Sequence, residues 1–160
     1  MQLCEFFLKL PEESFAQLVR GISLGKLRTY QLYEPFKARA HMTKLNTENL
    51  RKAIPRFRAR LASGEEEFAK ELAQAILVCH LDMAAAVLDF LGIPNQDGFF
   101  SKDLDASQYL SPGWQQRVWD NLRDKYPAPV LLLHLNHLAW ELDKLATCFF
   151  PTEAESMNPV

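Results

Sequence analysis

The last apolar stretch of the sequence carries the side chains best suited to bind a metal ion. His134, His137 and Glu141 follow one another there at spacings of three and four residues. On a helix such residues are neighbours, so two imidazoles and a carboxylate can converge on one ion. His80, in an earlier apolar stretch, could complete a site of the kind found inside helical bundles. The pattern predicts a divalent transition-metal centre as one hypothesis.

The competing interpretation of these residues is structural. The sequence contains neither HExxH nor a second Glu-x-x-His, the motifs that would make a metal site specific. His134 and His137 would then lie at the boundary of a core, with His80 a buried neutral imidazole. This interpretation predicts no cofactor, and it leaves the metal-binding helical enzyme as the alternative.

Other catalytic signatures are missing from the sequence. It has no G-x-S-x-G nucleophile turn and no glycine-rich phosphate loop. The cluster around Gly98 is not a calcium-binding EF-hand, because Ile93 and Leu104 would fall where carboxylates are required. We therefore expect a non-catalytic protein.

The cysteines indicate a reducing environment. Cys4, Cys79 and Cys148 are widely spaced and form no CxxC pair. An odd number without metal-ligand spacing predicts neither a disulfide framework nor a zinc site. The expected compartment is the cytoplasm.

Charge is distributed unevenly along the chain. The whole sequence has a net charge of −2, but residues 26–60 hold ten Lys and Arg against Glu34 and Glu48, a net charge of +8. If one helix covers the second half of residues 26–60, Lys52, Arg56 and Arg60 lie along one side of it at i, i+4 and i+8. Such like charges repel each other, so an acidic surface must offset them.

Two acidic surfaces could offset this basic segment. One is external, an acidic protein or the phosphates of a nucleic acid. The other is the rest of the chain, which has a net charge of −10 and begins with Glu65, Glu66 and Glu67 shortly afterwards. A helix-turn-helix reading of the segment is disfavoured by Pro35 and Pro55.

Helical periodicity dominates the sequence. Ser63 and Glu66 resemble a capping box, and Gly92 with Pro94 resembles a helix end. Both flanks of the intervening stretch are apolar, which predicts a long central helix over about 64–91, surrounded by others. Residues 95–110 read as a loop pinned to the core by aromatic side chains (Phe99, Phe100 and Tyr109).

The predicted fold class is all-α, a single-domain bundle of about five to seven helices spanning 1–150, followed by a loose tail over 151–160. The composition, 48% hydrophobic and 24% charged, fits a globular domain and excludes disorder. The longest apolar run, 83–88, is far too short for a membrane span.

The functional expectation is a non-catalytic intracellular binding or regulatory protein. It would engage an acidic protein or a nucleic acid through a basic face, and five residues are predicted to make that contact: Arg51, Lys52, Arg56, Arg58 and Arg60.

Overall fold

A computed structural model describes residues 3–22, 47–101, 103–105, 108–143 and 148–151, without the side chains of 47–52 and 143. The described residues form seven α-helices, one turn of π-helix and no strand, which confirms the all-α prediction. The helical stretches expected within 26–42 and the tail beyond 151 lie outside the described residues. The α-helices are α1 (Leu3–Lys9), α2 (Glu12–Arg20), α3 (Thr47–Ala62), α4 (Glu66–Leu77), α5 (Leu81–Leu91), α6 (Trp114–Leu122) and α7 (Ala128–Leu138).

The chain divides into two compact units, Gln2–Cys79 and His80–Val160. The first unit contains α1 to α4, and the second contains α5 to α7 with the π-helical turn Ala139–Asp143.

The predicted continuous helix over 64–91 is wrong, because α4 ends at Leu77 and α5 begins at Leu81. At the break, the Cys79 amide donates to the Ile76 carbonyl, three residues back instead of four, at 3.1 Å. His80 then takes a non-helical conformation, with φ −135° and ψ 44°. The break contains no Gly or Pro, only residues of middling helix propensity, so tertiary packing decides the conformation there.

Aromatic rings build the core of the first unit. The rings of Phe57 on α3 and Phe68 on α4 are stacked, with centroids 5.5 Å apart. The rings of Phe7 on α1 and Phe15 on α2 meet edge to face at 5.9 Å. All four side chains are buried. Pro55 lies on the exposed side of α3, which continues through it without interruption.

The expected capping box at the start of α4 is also absent. The Ser63 hydroxyl donates to the Ala59 carbonyl at 3.0 Å, and Gly64 ends the preceding segment with φ +78°. The Glu66 carboxylate accepts instead from the amides of Leu3 and Cys4 in the first turn of α1. One helix therefore caps another, which satisfies orphan amides that the local sequence leaves open.

In the second unit, the loop after α5 contains a tight hairpin turn. The amides and carbonyls of Gln96 and Phe99 pair with each other at 2.7 and 3.0 Å. Asp97 and Gly98 between them have φ of +52° and +93°, as a type I′ turn requires. Phe99 is 59% exposed, so the expectation that it pins this loop to the core is wrong. The backbone of Gly98 makes the close contact with α5 instead.

Within the described residues, no single helix is both long and apolar enough to cross a lipid bilayer; α4 and α5 pass that test only when counted together across their break.

Candidate functional site

The five basic residues predicted to bind a partner all lie on α3. We call them the basic surface: Arg51, Lys52, Arg56, Arg58 and Arg60. The structure describes the backbone of the first two and the side chains of the three arginines, all three half-buried. Arg58 and Arg60 have different neighbours, and those neighbours determine whether an acidic side chain of the protein balances the charge of each guanidinium.

Arg60 is neutralised within the first unit. Its guanidinium forms an ion pair with the Glu65 carboxylate at 3.1 Å. The same guanidinium lies 4.0 Å from the centroid of the Phe68 ring, in cation–π geometry. The interpretation that the chain offsets its own basic segment therefore applies to this residue.

Arg58 is held in place without an acidic partner among the described residues. Its guanidinium carbon lies 5.4 Å from the centroid of the Phe15 ring, and Nη2 donates a long hydrogen bond of 3.5 Å to the Leu8 carbonyl. Nη1 is buried and has no hydrogen-bond partner among those residues. A buried N–H without an acceptor destabilises a protein by about 1 to 3 kcal/mol, and more when charged.

His134, the first of the predicted metal ligands, is buried in α7. It is only 5% exposed, and neither ring nitrogen has a hydrogen-bond partner among the described residues. Burial, with a smaller contribution from nearby His137, lowers the pKa of His134 to about 3. The imidazole is therefore neutral at physiological pH.

His137 and Glu141 are brought together one helical turn apart, at the junction of α7 and the π-helical turn. His137 Nε2 and Glu141 Oε1 are 3.6 Å apart. Burial lowers the pKa of His137, and the Glu141 carboxylate opposes that shift. Because the lowered pKa leaves His137 neutral at physiological pH, this is a long polar contact at the half-buried edge of α7 and not an ion pair.

The predicted convergence of four ligands is not present. His80 occupies the N-cap position of α5, and among the described side chains no three of His, Cys, Asp or Glu are close enough to hold a metal ion. Helical spacing placed His134, His137 and Glu141 on one flank, but a shared flank does not aim all three side chains at one point.

None of the three cysteines forms a disulfide. Cys4 is buried at the start of α1, where desolvation and its proximity to Glu66 raise the pKa of its thiol to about 12. A thiol with so high a pKa is a poor nucleophile at neutral pH. Cys4 is therefore a core residue.

Sequence reasoning identified the basic residues and named Glu65 among the acids that could offset them, and Arg60 does pair with it. It did not identify the Phe15 ring as the contact of Arg58. The spacing of five residues between Arg60 and Glu65 spans a helix end, where helical periodicity no longer predicts neighbours.

Comparison with known proteins gave no match to a family model, to a curated protein sequence or to a solved structure.

Proposed function

We propose that this chain is a non-catalytic, intracellular binding protein that engages an acidic partner through the basic surface of α3. The proposal depends on one observation above all: the half-buried Arg58 guanidinium lies over the Phe15 ring and has no acidic partner among the described residues. A carboxylate or phosphate that contacted the exposed part of this guanidinium would balance its charge.

The contrast between Arg58 and Arg60 supports this assignment. Arg60 already has a carboxylate, so a partner gains little by contacting it. Arg58 is held by packing, so less side-chain entropy is lost when it binds a partner. We therefore assign the main contact to Arg58 and place Arg60 at the edge of the binding face.

The odd number and wide spacing of Cys4, Cys79 and Cys148, which suit no disulfide framework, support the intracellular part of the proposal.

The test is binding to two labelled acidic probes, poly-glutamate and a DNA duplex, measured by fluorescence anisotropy. We expect binding at about 20 mM salt that weakens steeply by about 200 mM, as counterion displacement requires. The preferred probe identifies the partner class. No binding of either probe at low salt, at a protein concentration where the chain is monomeric, would refute the proposal.

A matched pair of variants tests the assignment to Arg58. Arg58→Met keeps a long unbranched side chain beside Phe15 and removes the guanidinium with its charge. We expect it to weaken binding and to reduce the salt slope by about one. Arg60→Met removes the same charge from a position already paired with Glu65 and should change binding much less. An equal loss in both variants would contradict the assignment.

A further inference from the structure

The second unit presents an acidic surface with exposed aromatic rings. We call this set the acidic surface: Asp82, Asp89, Phe90, Asp97 and Phe99, all of them exposed. At 100° per residue, the first three share one face of α5 with half-buried Ala85 and Ala86. Phe90 and Phe99 are 43% and 59% exposed, so two large apolar rings accompany the carboxylates on this surface.

The hairpin that carries Phe99 is tied to α5 at two points. A Cβ placed on Gly98 would lie 3.0 Å from the Leu81 carbonyl oxygen, so the turn is in direct contact with the start of α5. Near the end of α5, the Asn95 side chain donates a hydrogen bond to the Asp89 carboxylate at 2.9 Å. A rigidly held exposed ring is the type of anchor that interfaces use, because little entropy is lost on binding.

Charge indicates what covers this surface. Residues 80–116 contain five Asp against a single Lys, a net charge of −4, whereas residues 26–60 have a net charge of +8. The same chain therefore carries two segments of opposite net charge. In neither segment do residues of the minority sign balance the excess charge. Complementary charge favours encounter and orientation of two such surfaces.

We propose that a second copy of this chain covers the acidic surface with its basic surface. The inference rests on the proposed function, since it names the acidic partner as another copy. A contact between two different surfaces is heterologous, so each copy still has one free surface to which a further copy can bind. The assembly stops growing only if the rotation between copies closes it into a ring. The expected assembly therefore grows with concentration and shrinks with added salt.

Sedimentation velocity of the full chain measures this directly. At about 20 mM salt the mean mass should rise with concentration from 18.4 kDa to roughly twice that value or more, and return to the monomer at about 500 mM salt. The increase in mean mass should be abolished in a triple variant of the acidic surface, Asp82→Asn with Asp97→Asn and Phe99→Ser. Asn tolerates the positive φ of residue 97, so the hairpin is retained. The charge-matched control, Asp120→Asn with Asp124→Asn on α6 and just after it, should associate as the original chain does.

Mixing two disabled variants tests the head-to-tail geometry. The acidic-surface variant keeps its basic surface, and a chain with Arg51→Gln, Lys52→Gln and Arg58→Met keeps its acidic surface. Each alone should remain monomeric, and an equimolar mixture should form dimers that grow no further, because only one complementary pair of surfaces remains.

Three results would overturn this inference: a wild-type chain that stays monomeric at every concentration at low salt, association that persists in the acidic-surface variant, or mixed variants that stay monomeric. A monomeric chain that still binds poly-glutamate or DNA would refute self-association alone. A chain that binds neither probe and does not associate would refute both proposals.

Discussion

The side-chain amide of Asn136 pairs with both backbone polar groups of Phe149. Nδ2 donates to the Phe149 carbonyl oxygen at 3.0 Å, and Oδ1 accepts from the Phe149 amide at 2.7 Å. Nδ2 also donates to the Leu132 carbonyl at 2.9 Å, and Asn136 is fully buried on α7. A single side chain therefore attaches the segment after the π-helical turn to the core of the second unit.

Replacing this amide should destabilise the protein strongly. Asn136→Leu leaves the amide and carbonyl of Phe149 without their partner, and we expect a loss of about 2 to 4 kcal/mol in the free energy of unfolding. Urea denaturation measures the loss, and hydrogen exchange at the Phe149 amide should accelerate. Asn121→Leu is the control, because Asn121 is exposed on α6 and donates only to the Arg117 carbonyl. Equal effects would show that Asn136 does not anchor the segment.

The cap between helices predicts a difference between two neighbouring glutamates. Glu66→Ala removes the acceptor for the Leu3 and Cys4 amides and should lower stability by about 1 to 2 kcal/mol. Glu67→Ala removes only an exposed ion pair with Lys70 and should change stability by less than about 0.5 kcal/mol. Thermal unfolding distinguishes the two. A loss in Glu67→Ala as large as in Glu66→Ala would contradict the capping role.

His134 should make stability depend on pH. Its pKa is lowered to about 3 in the folded protein, whereas an unfolded histidine has its ordinary pKa of 6.5. Below that value the unfolded state binds more protons, so stability falls as the pH drops from about 6.5 towards 3 and is unaffected by this group above it.

The variant His134→Leu isolates this contribution. From pH 7.5 to pH 5, the original protein should lose about 2 kcal/mol more than the variant, because each unit below the unfolded pKa contributes about 1.4 kcal/mol. Urea denaturation at the two pH values provides the comparison. At pH 7.5 the variant should be no less stable, since both ring nitrogens lack partners among the described residues. Identical pH profiles for both proteins would show that His134 does not titrate as a buried group.

Two glycines with similar φ test the contact between the hairpin and α5. Gly92→Ala introduces a Cβ with nothing within 4 Å, at φ +77°, and should cost about 1 kcal/mol from backbone strain alone. Gly98→Ala places its Cβ 3.0 Å from the Leu81 carbonyl oxygen and 3.2 Å from Ala84 Cβ. We expect a total cost of about 2 to 3 kcal/mol. Equal destabilisation, measured by thermal unfolding, would show that the hairpin is not in firm contact with α5.

The sequence by itself determined the fold class and the helix end at Gly92. Periodic apolar residues predicted helices throughout, and the structure is all-α over the residues it describes. Gly92 has the left-handed conformation expected of a helix C-terminus, with φ +77°. Such signals act within a turn or two of the chain, so they can be recognised without knowing what packs against them.

Only the tertiary structure decided where long-range partners meet. The break at 78–80 has no sequence signal, and the cap on α1 comes from Glu66, 63 residues from Leu3. Arg58 and Arg60 have the same chemistry in the sequence, yet Arg60 pairs with a carboxylate and Arg58 meets none within the part of the chain that the structure describes. The helix break and the charge pairing have a common physical reason, which is that local energies are too small to decide them. Helix propensities near 78–80 differ by only tenths of a kcal/mol, and whether two charges pair depends on positions that tertiary packing sets.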